Sequence, residues 1–168
     1  MAMTQGVRRF ALTVHVAVSV ALLGAVAAFL ELAVAGLISR DVRIVHAAYP
    51  AMELITWFVI IPLTLAALLT GFVSSSGTSW GLFRYYWVVI KLLLTGFATV
   101  VLLLQMPLIA YLGHTASETA LTSVELRMPK LTLVVHSSGG LFVLLVITVL
   151  SIYKPKGMTP FGQRKQGE

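Results

Sequence analysis

Four long apolar stretches that contain no Lys, Arg, Asp or Glu constrain this chain more than any other feature. They cover residues 10–30, 54–73, 92–113 and 131–153. A helix needs about 20 mostly apolar residues to cross the hydrocarbon core of a bilayer. Each stretch is therefore long enough to cross a membrane once.

The composition agrees with lipid as the surroundings of this chain. Of its 168 residues, 58% are hydrophobic and only 11% are charged, and the mean hydropathy is +0.95. So few charged side chains cannot cover the surface of a water-soluble protein. We therefore predict an all-α fold: a bundle of four transmembrane helices that forms a single integral membrane domain over residues 1–168. The helices are expected at about 10–38, 51–73, 85–112 and 131–152.

The chain has no cysteine, which excludes thiolate metal sites, iron–sulfur clusters, covalently attached haem and a cysteine nucleophile. It also has no phosphate-binding glycine loop and no paired-histidine zinc motif. The sequence therefore identifies no catalytic residue.

The basic residues predict how the bundle is oriented. Of the 12 Lys and Arg residues, eight fall on the side that carries both termini: Arg8, Arg9, Arg84, Lys91, Lys154, Lys156, Arg164 and Lys165. The other four are Arg40, Arg43, Arg127 and Lys130. Because basic residues stay on the cytoplasmic side of a membrane, we expect both termini to be cytoplasmic and the protein to lie in the cell inner membrane. We attribute the net charge of +6 to the basic residues that orient the helices in the membrane, and no nucleic-acid partner is expected.

The start of the chain also has the pattern of a cleaved signal peptide: Arg8-Arg9, an apolar run and the small residues Ala25-Val26-Ala27. Hydrophobicity that continues to Ile38 favours a membrane helix instead. A row of small residues at helical spacing favours close packing of this helix within the bundle. The row is Ala17, Ala21, Gly24 and Ala28.

Polar residues inside the predicted spans form two layers. His15 lies about five residues into the first helix and Lys91 about six into the third, about 8–9 Å deep at 1.5 Å per residue. Ser19 and Thr95 lie one turn further along the same faces. His15 and Lys91 are the candidate cofactor-binding residues. The alternative for Lys91 is that its ammonium group extends to the lipid headgroups.

The second layer lies towards the opposite ends of the helices. It contains Glu31, Glu53, Gln105 and His136. Carboxylate and imidazole groups suit Zn, Fe, Mn or Cu(II), so Glu31, Glu53 and His136 are the candidate ligands of a transition metal ion. Two alternatives remain open: histidines that only bridge helices, and Glu53 as a first-turn acid that interacts with the helix dipole after Pro50.

Two features predict irregular packing near the middle of the bundle. Pro62 cannot donate a hydrogen bond to the carbonyl of Phe58 and should kink its helix. The run His136-Ser137-Ser138-Gly139-Gly140 carries little side-chain volume. The run leaves room for a flat cofactor, or else allows close contact between helices.

Two motifs resemble an uncharacterised family of small bacterial integral membrane proteins. They are GLFRYYWVVIKLLLT at 81–95 and YKPKGMTPFGQRKQ at 153–166. The resemblance covers most of the chain and implies a multi-pass topology rather than an activity.

His15, together with Trp87 and the Lys91-Leu92 pair four residues later, is similar to the pattern of haem-associated membrane proteins. These include the membrane protoporphyrinogen oxidase family and the copper-resistance D-type proteins. The resemblance implies haem binding at His15 and a functional role for Lys91. Such proteins often place a second histidine late in the lysine-bearing helix, where this chain has Gln105.

Three hypotheses follow for the function. The protein binds haem b for redox chemistry or haem handling; or it is a metal-handling or transporter-like membrane protein with a site at Glu31, Glu53 and His136; or it is a non-catalytic bundle that assembles with a membrane partner or with itself. In the third case the basic residues after Tyr153 contact anionic headgroups.

Overall fold

The computed structural model describes residues 4–76, 84–118, 126–155 and 157–160. Within these residues the chain forms five α-helices and one π-helical segment. They are α1 (Gln5–Ile38), α2 (Val42–Ile55), the π segment (Thr56–Ile60), α3 (Ile61–Ser76), α4 (Tyr86–Glu118) and α5 (Arg127–Tyr153). α2, the π segment and α3 are continuous and form the second span. The four spans are each long and apolar enough to cross a membrane, which confirms the predicted all-α membrane bundle.

The spans are longer than the sequence pattern predicts. α1 has 34 residues, about 51 Å at 1.5 Å per residue, whereas the hydrocarbon core is about 30 Å thick. The helix ends therefore extend beyond the apolar layer. α4 continues past the predicted end at 112 to Glu118, and the second span begins at Val42 instead of residue 51.

Asp41 explains the early start of the second span. Its carboxylate caps α2 by accepting a hydrogen bond from the backbone N–H of Arg43 at 2.9 Å, and it forms an ion pair with the guanidinium of Arg43 at 3.0 Å. These hydrogen bonds from Arg43 lower the pKa of Asp41. Pro50 lies inside α2, so Glu53 is about three turns from the helix start. The interpretation of Glu53 as a first-turn acid is therefore wrong.

The two ends of the bundle differ in how tightly the helices pack. We call the end at which α1 begins and α5 finishes the terminal end, and the opposite end the far end. The most completely buried large side chains belong to the far half: Tyr49, Met52, Leu112 and Leu133. They belong to the core cluster in which α2 packs against α1 and α4.

Gly36 of α1 allows α1 and α2 to approach closely in the far half. A Cβ atom at this position would lie 2.8 Å from Cζ and Oη of Tyr49. Real side chains do not approach so closely, so the Tyr49 ring fits against α1 only because residue 36 is glycine. Lys130 of α5 covers the same ring, with Nζ 5.6 Å from the ring centroid.

The small-residue row of α1 does not pack within the bundle. Ala17, Ala21, Gly24 and Ala28 are exposed on the outer surface of the helix. The buried face consists of Leu22, Ala25, Phe29, Ala33 and Gly36. Helical spacing of small residues predicted a packing face, and the prediction was wrong because a second row with the same spacing, which combines Leu22 and Phe29 with small residues, forms the contact.

The π segment gives the two halves of the second span different neighbours. α2 packs extensively against α4, whereas α3 packs mainly against α1 and barely contacts α4. Pro62 follows the segment directly and cannot donate to the carbonyl of Phe58, and the N–H of Ile61 instead reaches Thr56 in a wider i to i−5 turn. The irregularity expected from Pro62 is thus present as a π-helical turn.

The contact between Gly36 and Tyr49 gives a stability prediction. Gly36→Ala should lower the free energy of unfolding by about 1–3 kcal/mol, because the added methyl group overlaps the Tyr49 ring. Thermal unfolding of the purified protein in detergent measures the loss. Gly24→Ala is the matched control, because a Cβ there meets nothing within 4 Å; it should leave stability unchanged or slightly raised. Equal losses in the two variants would contradict this account.

Candidate functional site

A cavity of about 330 Å³ lies between α1, the second span, α4 and α5. Its walls are mostly apolar: Leu22 and Phe29 come from α1, Ile60 from the π segment, and Leu102 and Leu144 from α4 and α5. On α4 the lining residues run from Thr95 to Ile109, about 21 Å along the helix axis. The cavity therefore extends along the middle part of the bundle axis, and it is open on the side where Phe97, Val135 and His136 are exposed.

Two local features explain why the helices leave this space. Beyond the π segment α3 packs against α1 and leaves α4, so the wall that α2 supplies in the far half is missing. On α5, Gly139 and Gly140 line the cavity, and a Cβ atom at either position would meet nothing within 4 Å. The glycine pair therefore leaves room for a ligand, as one of the two sequence interpretations expected, and does not serve close helix contact.

Most hydroxyl groups in the cavity wall already use their hydrogen within their own helix. Thr64 donates to Ile60, Thr95 to Lys91, Thr99 to Thr95 and Ser137 to Leu133, all at 2.7–2.8 Å. Such bonds to the carbonyl one turn earlier satisfy the hydroxyl in an apolar environment. The groups left to bind a ligand are the amide of Gln105 and the imidazole of His136, which line the cavity from α4 and α5.

The orientation of His136 is set by its own helix. Nδ1 lies 2.8 Å from the carbonyl oxygen of Thr132. A carbonyl only accepts hydrogen bonds, so Nδ1 carries the proton and Nε2 of the neutral ring keeps a lone pair. This arrangement, with Nδ1–H on a backbone carbonyl, is the usual one for a histidine that binds metal through Nε2.

His15 is oriented in the same way by a different helix. Nδ1 lies 3.0 Å from Oγ1 of Thr70 on α3, and that hydroxyl donates its only hydrogen to the carbonyl of Ala66 at 2.6 Å. Nδ1 must therefore donate, and Nε2 is again the acceptor. The ring lies against Gly71, where a Cβ atom would be 3.1 Å from Cε1. His15 does not line the cavity; it lies about two turns nearer the terminal end than Leu22.

Lys91 belongs to the same region as His15, as the sequence layers predicted. Its side chain is half-buried, and Nζ lies 5.5 Å from the centroid of the Trp87 ring. It also lies one turn below Thr95, at the terminal end of the cavity. Lys91 and His15 thus belong to the terminal part of the bundle, whereas His136 belongs to the far half.

The three predicted metal ligands do not form one group. Glu31 is exposed on the surface of α1, and the carboxylate of Glu53 lies directly against Gly113 of α4. Across the described parts of the chain, no three His, Asp or Glu side chains are close enough together to hold a metal ion. Similar depth along four helices did not bring these residues to a common point, because they lie on different helix faces.

Lys130 is a residue whose position the sequence reasoning missed. The sequence pattern places it just before the fourth span, among the four basic residues opposite the termini, yet it lies inside α5 and is only 8% exposed, over the ring of Tyr49. The spacing of His46, Tyr49, Glu53 and Thr56 at intervals of three and four residues was the available signal. It marks a polar face of α2 that turns towards the bundle.

Parts of the two family motifs, at 81–83 and 161–166, lie outside the described residues, as does Lys156. Comparisons of the chain with protein families, with curated proteins and with solved structures find no match.

The tautomers of the two oriented histidines can be tested directly. In ¹⁵N spectra of the neutral protein, His15 and His136 should both be protonated at Nδ1. Thr70→Val removes the acceptor for His15 and keeps the side-chain size similar, so it should abolish that preference at His15 and leave His136 unchanged. An unchanged His15 tautomer in the variant would show that Thr70 does not determine it.

Proposed function

We propose that this protein is an intramembrane binding protein for haem b, held in the cavity between α1, α4 and α5 for redox chemistry or haem handling. The observation that carries the proposal is His136: an exposed imidazole that borders an apolar cavity, with Nδ1–H bonded to a backbone carbonyl and Nε2 available as a ligand. Histidine is the usual axial ligand of a b-type haem, and the core of a helical bundle is a usual place for such a site.

The other residues of the cavity are compatible with a flat, mostly apolar group. The volume of about 330 Å³ lies at the lower end of the range of small-molecule sites, about 300–1,000 Å³, so a macrocycle of the size of haem would extend past the exposed side chains of Phe97 and Val135. Gly139 and Gly140 leave the wall beside His136 bare, so a planar ring can approach the α5 backbone there. Gln105 lines the cavity from α4 and supplies both a donor and an acceptor.

When bound, haem would supply one-electron transfer or binding of a small molecule at iron. In this proposal the residues of the chain hold and tune the group. His136 binds through Nε2, and the carbonyl of Thr132 fixes its ring. The apolar walls exclude water, which influences the redox potential of a bound iron centre. Among the described residues, His136 is the only histidine that lines the cavity, so the proposed site has one imidazole ligand.

This proposal assigns the iron ligand to His136, whereas the resemblance implies His15. Both rings present Nε2 as an acceptor, but His15 lies between α1 and α3 against Gly71, outside the cavity. His136 is therefore assigned as the ligand because a cavity lies beside its ring and not beside the ring of His15. We further propose that the terminal end of the bundle is cytoplasmic, because eight of the 12 basic residues belong to that side.

An absorption spectrum with single-histidine variants tests the proposal. The full chain, purified from haem-replete cells, should show a Soret band. His136→Ala should reduce haem content or affinity at least about tenfold, the scale of effect expected for groups at a metal site. His15→Ala should retain the band. His114→Ala, which removes an exposed imidazole of α4 that does not line the cavity, is the control for loss of a histidine.

A second variant tests the cavity independently of the ligand. Gly140→Leu places a side chain in the open space beside His136 and should also prevent haem binding while the protein stays folded. A wild-type protein without a Soret band, even after addition of haem, would refute the proposed function. Loss of the band in His15→Ala but not in His136→Ala would refute the assignment to this cavity.

A further inference from the structure

The exposed part of the cavity wall belongs to two helices only. Four lining residues are exposed, Phe97 of α4 and Val135, His136 and Gly139 of α5. The lining residues that α1 and the second span contribute are buried or partly buried. Within the described part of the chain, the cavity therefore opens between α4 and α5. We call the side bordered by these four residues the α4–α5 opening.

The α4–α5 opening lies at the depth of the acyl chains. Gly139 is the thirteenth of the 27 residues of α5, so it lies about 18 Å from one end of the helix and about 21 Å from the other. Phe97 follows the first residue of α4, Tyr86, by about 16 Å along the axis. The hydrocarbon core is about 30 Å thick, so both residues lie within it. Lipid, and not water, therefore borders the opening.

Exposed apolar residues of the same two helices surround this depth. Val100 and Leu104 of α4 and Phe142 and Leu145 of α5 are 48–72% exposed, and none of them lines the cavity. Such surfaces of a membrane bundle are covered by acyl chains. A ligand that reaches the α4–α5 opening must therefore dissolve in the hydrocarbon of the bilayer.

The cavity is closed towards the far end of the bundle. Ile109 and Leu133 line it there and are each 2% exposed. Leu112, one turn beyond Ile109, and Met52 are fully buried in the same core cluster. A ligand that entered from the far surface would have to displace the most tightly packed part of the core. The α4–α5 opening requires no such displacement.

We propose that haem enters and leaves the cavity sideways, from the acyl-chain region of the bilayer through the α4–α5 opening. The identity of the ligand rests on the proposed function, whereas the opening rests on the geometry of the helices. A porphyrin ring is flat and mostly apolar, so it partitions from water into hydrocarbon. His136 borders the opening, so the iron reaches its ligand without passing through the packed core.

The rate of haem uptake in phosphatidylcholine vesicles tests this route. Haem is supplied in the bilayer, and growth of the Soret band is followed for the full chain. Phe97→Ala removes a large side chain from the opening and should speed uptake at least about threefold, whereas Val135→Trp should slow it by a similar factor. The matched controls are Phe142→Ala and Val100→Trp, which change exposed residues outside the cavity wall and should leave uptake unchanged.

Uptake is the decisive rate, because loss of a contact with bound haem alone would speed release and leave uptake unchanged. Equal uptake rates in Phe97→Ala and Phe142→Ala would refute the proposed route.

A second experiment examines the α4–α5 opening without haem. The chain has no cysteine, so Val143→Cys in the cavity wall carries a single nitroxide label. In vesicles, oxygen concentrates among the acyl chains and a charged nickel chelate stays in water. The label should collide more with oxygen than with the chelate, as a label at Phe142→Cys on the lipid-facing surface does. Arg127→Cys, at the exposed start of α5, provides the aqueous reference.

The two experiments separate this proposal from the proposed function. Greater access of the nickel chelate than of oxygen to the label at position 143 would show that the cavity opens to water, and would overturn the route even if haem binds. If the wild-type protein binds no haem, the proposed function fails, and the nitroxide measurement alone decides whether the cavity opens to lipid.

Discussion

The second span packs against different helices in its two halves, and this change determines how the rest of the bundle is arranged. In the far half α2 packs against both α1 and α4, and beyond the π segment α3 follows α1 away from α4. A regular helix in this position would keep the same face towards the same neighbours along its whole length. Thr56–Ile60 adds one residue to the turn just before Pro62, which changes the face that follows. The compact far half and the cavity are both consequences of that turn.

Because the bundle is surrounded by lipid, each polar group inside it needs a hydrogen-bond partner within the protein. Hydroxyl groups of Thr64, Thr99 and Ser137 donate to carbonyls in their own helix, since a polar group without a partner is costly in hydrocarbon. Histidine has two ring nitrogens, so one local hydrogen bond still leaves the other nitrogen available. His15 and His136 can therefore still bind a ligand through Nε2, whereas each hydroxyl group has already used its only hydrogen. The proposed haem site uses this difference between side chains.

The particular errors of the sequence reasoning have physical causes. Pro50 indicated a helix start, but the capping interaction of Asp41 with Arg43 begins α2 earlier and carries it through the proline. The small residues of α1 had the spacing of a packing face, but Leu22 and Phe29 share that periodicity and bury more apolar area. Lys130 was counted with the loop charges, because a lysine at the end of an apolar stretch normally extends to water. That argument does not take into account the ring of Tyr49, which lies next to Lys130 only in the folded protein.

The sequence by itself determined the four membrane spans, the absence of thiolate chemistry and the set of polar residues inside the spans. These follow from composition and from distance along a helix, which are local properties of the chain. It also indicated the room beside Gly139 and Gly140 and the common level of His15 and Lys91. The tertiary structure alone decided that Glu31, Glu53 and His136 lie apart and that His136 borders a cavity. Depth fixes only the position along the bundle axis, whereas the rotation of each helix about its own axis depends on side chains that its neighbours contribute.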